Sequence, residues 1–292
     1  MNESHLLNLI ESRSRGLVLA GAELLVGPGD DAAVVRTSSG DRLVLTVDQL
    51  VEGRHYEVGT SLDLVARKAV ARSVSDVAAM GAVPVWAMAT GLLPERFAKA
   101  DELFAAMHRW ANLFGCPLIG GDIAAGPGPM ALTVTVCGRM EVGHEPKLRS
   151  GAKAGDEIWI TGPVGNSLAS GWHLNFEPRV DVGRCASAIA GVHAMIDLSD
   201  GLGRDAGRVG KASGVTLEID AAKIPLRQGA SDWRTAIGDG EDYELLVMGK
   251  GLAGKLEGLI GPIGVVREGE PGAAVIDETG QRLDVSGLGW DH

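Results

Sequence analysis

Seven aspartates stand where a chain readily presents side chains for chemistry, at the ends of apolar runs or beside glycines. They are Asp30 and Asp31 in GPGDDAAVV, Asp48 in LVLTVDQL, Asp76 in SVSDVAAMGA, Asp122 in LIGGD, and Asp197 with Asp200 in MIDLSDGL. Asp is also an ordinary turn and helix-cap residue. Asp48, however, interrupts a β-branched run with no turn signal, and Asp76 lies inside a helical apolar pattern, so neither is placed as a cap. Carboxylates that converge raise one another's pKa unless cations neutralise them. Mg²⁺ suits such a group, because it takes oxygen ligands and bridges carboxylates to phosphate oxygens. The chemistry in view is metal-assisted phosphoryl transfer. Spacing alone does not bring these residues together; the fold has to.

The elements that must position them alternate between strands and helices. Residues 3–13 pattern as a short amphipathic helix and 21–29 as a brief strand or loop. Residues 32–36 and 42–47, joined by TSSGD, pattern as a hairpin. Leu62, Val65, Ala66, Ala69, Val70, Val74 and Val77 recur at helical spacing, with Thr60 and Asp63 placed for a capping box and Gly81 and Pro84 as terminators. Further expectations are a strand over 83–93, a helix over 95–114, a short strand into a glycine turn over 116–121, and a half-buried strand over 130–138. At 139–155 periodicity stops and Gly, Pro and basic residues collect, which marks a junction. Beyond it come strands at 157–162, 193–197, 215–220, 243–248, 263–266 and 273–277, and helices around 165–173, 181–190 and 201–213. The class is α/β (α+β) with mixed sheets and packed helices. The expected division is 1–138, a junction at 139–155, and 156–292.

Composition narrows the function. The 292 residues are 45 % hydrophobic and 22 % charged, which excludes disorder and permits two sizeable cores. Lys plus Arg total 27 against 38 for Asp plus Glu, a net charge of −11, and aromatics are only 4 %; both argue against a nucleic-acid partner. Without a long uncharged apolar stretch or a basic start followed by an apolar run, the chain is expected in the cytoplasm and off the membrane. Cys116, Cys137 and Cys185 form no CxxC and are expected as reduced thiols.

Two nucleotide motifs fail on context. GPGDDA (27–32) matches a dinucleotide fingerprint with Asp48 downstream, but a hairpin leaves no room for the crossover helix, and Asp30 and Asp31 would repel a pyrophosphate. GKGLAGKL (249–256) resembles a P-loop but has Leu256 where a hydroxyl must meet magnesium.

The ordered strings GDDAAVV, LTVDQLVEGRHY, KAVARSVSDVAAMGAVPVWAMATGLLP, LIGGDIAAGP, LRSGAKAGDEIWITGPVGNSLASG, AMIDLSDGL, GEDYELL and GWDH span Gly27 to His292. In order and spacing they resemble the thiamine-monophosphate kinase family, of the superfamily that also holds aminoimidazole ribonucleotide synthetase and selenophosphate synthetase. The resemblance implies a two-domain fold with ATP in the cleft between domains, a homodimer formed through the N-terminal domains, and transfer of phosphate from ATP to thiamine phosphate. It implies several Mg²⁺ ions on Asp31, Thr46, Asp48, Asp76, Asp122, Asp197 and Asp200, with Asp30 beside them. Asp48, Asp76 and Asp122 would be the catalytic carboxylates. Phe104, Gly121, Asp122, Arg149 and Ser199 would contact ATP, and His55, Glu241 and Trp290 would face thiamine phosphate.

The residue chemistry is compatible with these roles. Arg149 belongs to a basic junction with Lys147 and Lys153, and its planar fork can grip phosphate oxygens. Trp290, near the end of the chain, suits an aromatic cationic ligand, or anchors the tail. Glu241 is expected at the mouth of the 243–248 strand, with Asp242 and Glu244 open to a solvated reading. An acceptor that is already a phosphate oxyanion needs no strong base or protein nucleophile, so alignment and charge neutralisation should carry catalysis.

Several positions depart from the family's pattern. Val47 replaces a second hydroxyl before the aspartate, which removes one possible magnesium ligand. Arg72 and Ser73 replace a small or apolar residue and Asn. Asn166 stands for Asp, Asp239 for Gly, and the 171–193 segment is short. A selenophosphate synthetase would want a reactive Cys in a glycine-rich N-terminal segment, whereas the first here is Cys116. VEGRHY and GWDH favour the thiamine branch over an aminoimidazole ribonucleotide synthetase. A non-catalytic ATP and magnesium sensor is the alternative that Val47 motivates.

Overall fold

A computed structural model describes residues 9–10, 12–14 and 16–290. Of the helix expected over 3–13, residues 9, 10, 12 and 13 are helical and the rest lies outside the described residues, as do the last two residues of GWDH.

The first half builds one six-stranded sheet from β1 (Ala22–Val26), β2 (Ala33–Thr37), β3 (Arg42–Val51), β4 (Val83–Pro94), β5 (Leu118–Gly126) and β6 (Ala131–Arg139), in the order β1-β2-β3-β6-β4-β5. All neighbours are antiparallel except β4 and β5. Helices α1 (Leu62–Ala79) and α2 (Ala100–Leu113) cover one face. There Val44, Val134, Ala87 and Leu132 meet Val70, Val74 and Val77 of α1 in a closed core, where each fully buried large aliphatic side chain contributes about 1.5–3 kcal/mol. The other face is uncovered. Val47 is 62 % exposed, Met88 44 % and Leu92 40 %, and Val47 and Met88 both register with Thr135 in one row.

The second half supplies a seven-stranded sheet in the order β13-β12-β9-β11-β7-β10-β8. Its strands are β7 (Glu157–Ile160), β8 (Val192–Asp197), β9 (Thr216–Asp220), β10 (Leu245–Gly249), β11 (Ile260–Arg267), β12 (Gly272–Ile276) and β13 (Arg282–Asp284). Helices α3 (Trp172–Asn175), α4 (Val180–Ala188), α5 (Leu202–Ser213) and α6 (Trp233–Asp239) complete it. On one face Ile158, Ile196, Leu217 and Val275 pack with Leu202, Ala206 and Val209 of α5. On the other, Trp159, Met195 and Val247 meet Ala186 of α4 and Ala79 of α1. Helix α1 is thus the shared wall between the two sheets.

Several local expectations need correction. The N-cap of α1 is Ser61, whose hydroxyl accepts from the Leu64 N–H, while the Thr60 hydroxyl turns back to the Glu57 carbonyl. The helix expected from residue 95 starts at Ala100. The glycine turn expected at Gly120 and Gly121 is continuous strand β5: a Cβ at Gly121 would lie 1.8 Å from the Ala89 carbonyl oxygen, so glycine there serves a close approach between strands. Over 165–173 the expected helix is mostly absent: Asn166 is left-handed with φ 57°, 167–171 are turn, and only from Trp172 does the short helix α3 begin. Strand β10 starts at Leu245; Glu241 and Tyr243 are left-handed, with φ 57° and 51°. Asp242 and Glu244 are fully buried rather than solvated. The dinucleotide fingerprint is excluded as expected, since β2 follows its turn directly, and no helix follows the P-loop-like segment after β10.

Candidate active site in the cleft between the sheets

Three elements deliver carboxylates to one point. The loop before β2 brings Asp31, α1 brings Asp76, and the end of β8 brings Asp197. One oxygen from each lies within 4.8 Å of the others. Asp76 accepts from the Thr46 hydroxyl at 2.5 Å and Asp197 from the Ser75 hydroxyl at 2.6 Å. Ser75 therefore ties α1 to the second sheet beside the acidic group. Burial, then repulsion from Asp48, Asp197 and Asp31, pushes the Asp76 carboxyl well above its ordinary range. Burial and Asp31 do the same to Asp197. Asp31 Oδ2 is buried with no hydrogen-bond partner among the described residues. An acceptor-only oxygen orphaned among crowded carboxylates is what a hard divalent cation would satisfy, so the residues present fit Mg²⁺.

Basic groups frame this cluster. Arg149 Nη2 and Nε donate to Asp31 Oδ1 at 2.6 and 3.2 Å, and the Arg149 N–H reaches both oxygens of Asp30 at 3.2 Å. Burial and Asp31 push Asp30 up to about 6. Arg72, one helical turn before Asp76, has Nε 3.4 Å from Asp48 Oδ2. Another turn back, Lys68 is fully buried. It pairs with Glu241 and donates to the His55 carbonyl at 2.6 Å, with Nδ1 of His173 2.9 Å away. Lys68, Arg72 and Asp76 thus line one edge of α1 facing the cleft.

The expected substrate residues also meet. His55, Ser199, Glu241 and Trp290 line one small cavity with Arg54 and Leu168, next to an open cavity of 940 Å³ lined by residues 53–58, 60, 168–171, 173 and 174. His55 Nδ1 accepts from the Val51 N–H at 2.9 Å. The backbone N–H of Glu241 donates to the Ser199 carbonyl at 2.7 Å, which holds Glu241 in its left-handed conformation. Trp290, 38 % exposed as a residue, is anchored by its indole N–H to the Asp239 carbonyl at 2.5 Å and by its backbone N–H to the Asp200 carbonyl at 2.9 Å. Tail anchoring and a ring presented to the cavity coexist.

Other expected residues lie elsewhere. Asp200 is turned to Arg208 at 2.5 Å, and its backbone N–H donates to Asp205. Phe104, Gly121 and Asp122 line a separate cavity of 520 Å³ with His108. Gly121 shares a sheet row with Ala89, Val134 and Asp48, three strand spacings or about 14 Å from Asp48. Asp122 registers with Thr90 on the uncovered face, so it does not join Asp31, Asp76 and Asp197 within the chain. Val47 also points off that face, so the lost hydroxyl does not bear on the cleft of its own chain.

Sequence reasoning missed Lys68, Ser75 and His173 as site residues and treated Arg72 only as a departure. The available signal was charge at four-residue spacing inside a run of Ala and Val, from Lys68 through Arg72 to Asp76.

A family model, AIR synthase related protein, N-terminal domain, matches residues 29–140. The thiamine-monophosphate kinase of Rhodopirellula baltica is 34 % identical, over 84 % of this chain and 81 % of that one. The thiamine-monophosphate kinase of Caulobacter vibrioides is 31 % identical over 99 % and 90 %. Among solved structures, AaThiL complexed with AMPPCP and TMP is similar with a TM-score of 0.84 at 28 % identity, covering 100 % of this chain and 97 % of that one. Hydrogenase maturation protein HypE in complex with ATP, at 17 % identity and a TM-score of 0.71 over 97 % and 90 % of the two chains, shares the fold.

Proposed function

The chain belongs to the thiamine-monophosphate kinase family, and from that membership we infer that it transfers the γ-phosphoryl group of ATP to the phosphate of thiamine phosphate, giving thiamine diphosphate and ADP. A phosphorus–oxygen bond forms to the acceptor phosphate as the bond between the β- and γ-phosphates breaks. The observation that carries this reading is the convergence of Asp31, Asp76 and Asp197 from three separate elements.

Bound there, Mg²⁺ would neutralise charge on the phosphate oxygens and orient them. Asp31, Asp76 and Asp197 would hold it, with Thr46 and Ser75 fixing the carboxylates and Asp48, Asp30 and Asp200 around them. Arg149 would exchange contact with Asp31 for the triphosphate, its fork matching two oxygens. His55, Glu241 and Trp290 would receive thiamine phosphate, and Ser199, which lines the same cavity, would contact the nucleotide. Transfer would be direct and in line, because the oxyanion acceptor needs alignment and charge neutralisation more than a base.

The division proposed is an N-terminal domain over 1–138, a junction over 139–155 and a C-terminal domain over 156–292. Two chains would pair through the uncovered face of the first sheet, where Val47, Met88 and Leu92 present apolar surface. Phe104, Gly121 and Asp122 lie along the edge strand of that sheet or beside it, so their assignment to nucleotide and metal requires the dimer. Reaction in the cytoplasm fits soluble substrates, and among the described residues no helix is long and apolar enough to cross a membrane.

A coupled ADP-release assay tests the activity. ADP should appear only with thiamine phosphate and Mg²⁺ both present. ATP binding without thiamine-phosphate-dependent ADP would mark a sensor instead.

A further inference from the structure

Arg72 is the cation of the α1 charge row that stands one helical turn from Asp76 and beside Asp48. It is 9 % exposed, Nη1 donates to the Gln49 carbonyl at 3.0 Å, and Nε lies 3.4 Å from Asp48 Oδ2. That Nε is buried and makes no hydrogen bond among the described residues. A guanidinium does not release its proton in a protein, so Arg72 places a permanent positive charge at Asp48.

The carboxylates of the cleft therefore differ in what balances them. Asp48 has the Arg72 guanidinium. Asp31 gives Oδ1 to Arg149 and keeps Oδ2 unpartnered. Asp76 and Asp197 have hydroxyl partners, Thr46 and Ser75. Where Asp31, Asp76 and Asp197 converge, three carboxylates meet one guanidinium, that of Arg149, and the surplus negative charge draws a divalent ion; at Asp48 one carboxylate faces one guanidinium and the charges already balance. Asp48 also lies outside the group whose oxygens converge within 4.8 Å.

We propose that in this chain the Arg72 guanidinium takes the place of a divalent cation at Asp48, so that metal is gathered by Asp31, Asp76 and Asp197 while Asp48 holds Arg72. The proposal rests on the metal-assisted reading above and departs from the ligand set that the family resemblance implies. Arg72 is then a positioning residue. Anchored to β3 through Gln49 and Asp48, it fixes the spacing between that strand and α1 at the level of Asp76, and it lowers by one the number of ions the site takes up.

The test is a Mn²⁺ titration of the full chain carrying a non-hydrolysable ATP analogue, with free Mn²⁺ read by electron paramagnetic resonance. Arg72→Met should bind one more Mn²⁺ per chain than the wild type, because Asp48 is left without its counter-charge. The double variant Arg72→Met with Asp48→Asn should return to the wild-type number. Equal numbers for wild type and Arg72→Met would overturn the proposal. Should Arg72→Met fail to fold, the double variant, which lacks both charges, decides: one ion fewer than wild type would make Asp48 a native ligand and overturn it. A wild type that takes up no Mn²⁺ would overturn the metal-assisted reading as well, an outcome distinct from either of these.

Discussion

Lys68 Nζ lies 2.9 Å from His173 Nδ1, a contact between side chains 105 positions apart that joins α1 to α3 beside the open cavity His173 lines. Burial, then the Lys68 charge, pushes His173 down to about 4, and burial pushes Lys68 down to about 8 against the pull of Glu241. A neutral His173 accepts from Lys68 through Nδ1, and Lys68 in turn fixes Glu241. The depressed histidine stabilises the fold fully above its unfolded value near 6.5, and that contribution is lost as pH falls towards 4. His173→Gln keeps an acceptor but cannot titrate. Urea midpoints at about pH 7 and about pH 5 should show the wild type losing on the order of 2 kcal/mol more than the variant. Equal losses would show that His173 is not held neutral.

Asp76→Asn should separate stability from function. Asn replaces a buried carboxyl whose ionisation burial and Asp48, Asp197 and Asp31 oppose, so the metal-free variant should be more stable than the wild type by about 1–2 kcal/mol at a pH where the wild-type carboxyl ionises. Mg²⁺ should no longer stabilise it, and turnover should fall by at least about a hundredfold. Thermal melts with and without Mg²⁺, alongside ADP release, check all three. A variant that still gains stability from Mg²⁺ would place the ion elsewhere.

Proton release should accompany metal binding. Asp76 and Asp197 have raised folded values, so their contribution to metal-free stability is present below the ordinary carboxylate range and is lost as pH rises through the folded values. Mg²⁺ held there would displace those protons, so its affinity should rise with pH through the raised folded values, with proton uptake by the buffer. Calorimetry in buffers of different ionisation enthalpy reads this directly. Identical heats in all buffers would mean that both carboxylates are already ionised.

Arg179 and Glu244 form a two-pronged pair at 2.8 and 2.7 Å around a fully buried carboxylate, which also accepts from the Thr161 hydroxyl at 2.6 Å. Arg179→Met should cost about 3–5 kcal/mol, since it strands the Glu244 charge. Urea unfolding measures it, and a loss under about 1 kcal/mol would mean that solvent reaches Glu244.

Much of the frame was legible in the sequence because periodicity reports burial. The valines and alanines of α1 and the alternation of β6 read directly as a helix and a half-buried strand. The acidic set was legible as a list of candidates, and Asp31, Asp76 and Asp197 do converge. Glycines misled at β5, where Gly121 relieves a contact with Ala89 rather than making a turn. Glu241 and Tyr243 gave the opposite error. They are left-handed without being glycines, held by N–H bonds to Ser199 and Leu198 and by stacking of Tyr243 on Phe176 at 3.9 Å, contacts that no local pattern encodes. The counter-charges were hidden for a similar reason: whether Arg72 faces solvent or Asp48 depends on which strand α1 packs against.

The central claim is that carboxylates from both sheets hold the metal on which phosphoryl transfer depends. Its most direct test is a crystal structure with Mn²⁺ and a non-hydrolysable ATP analogue, with the ions located by anomalous scattering. Anomalous density should lie in coordination contact with Asp31, Asp76 and Asp197 and with the analogue's phosphate oxygens. Ions and triphosphate bound away from these three residues would contradict the account.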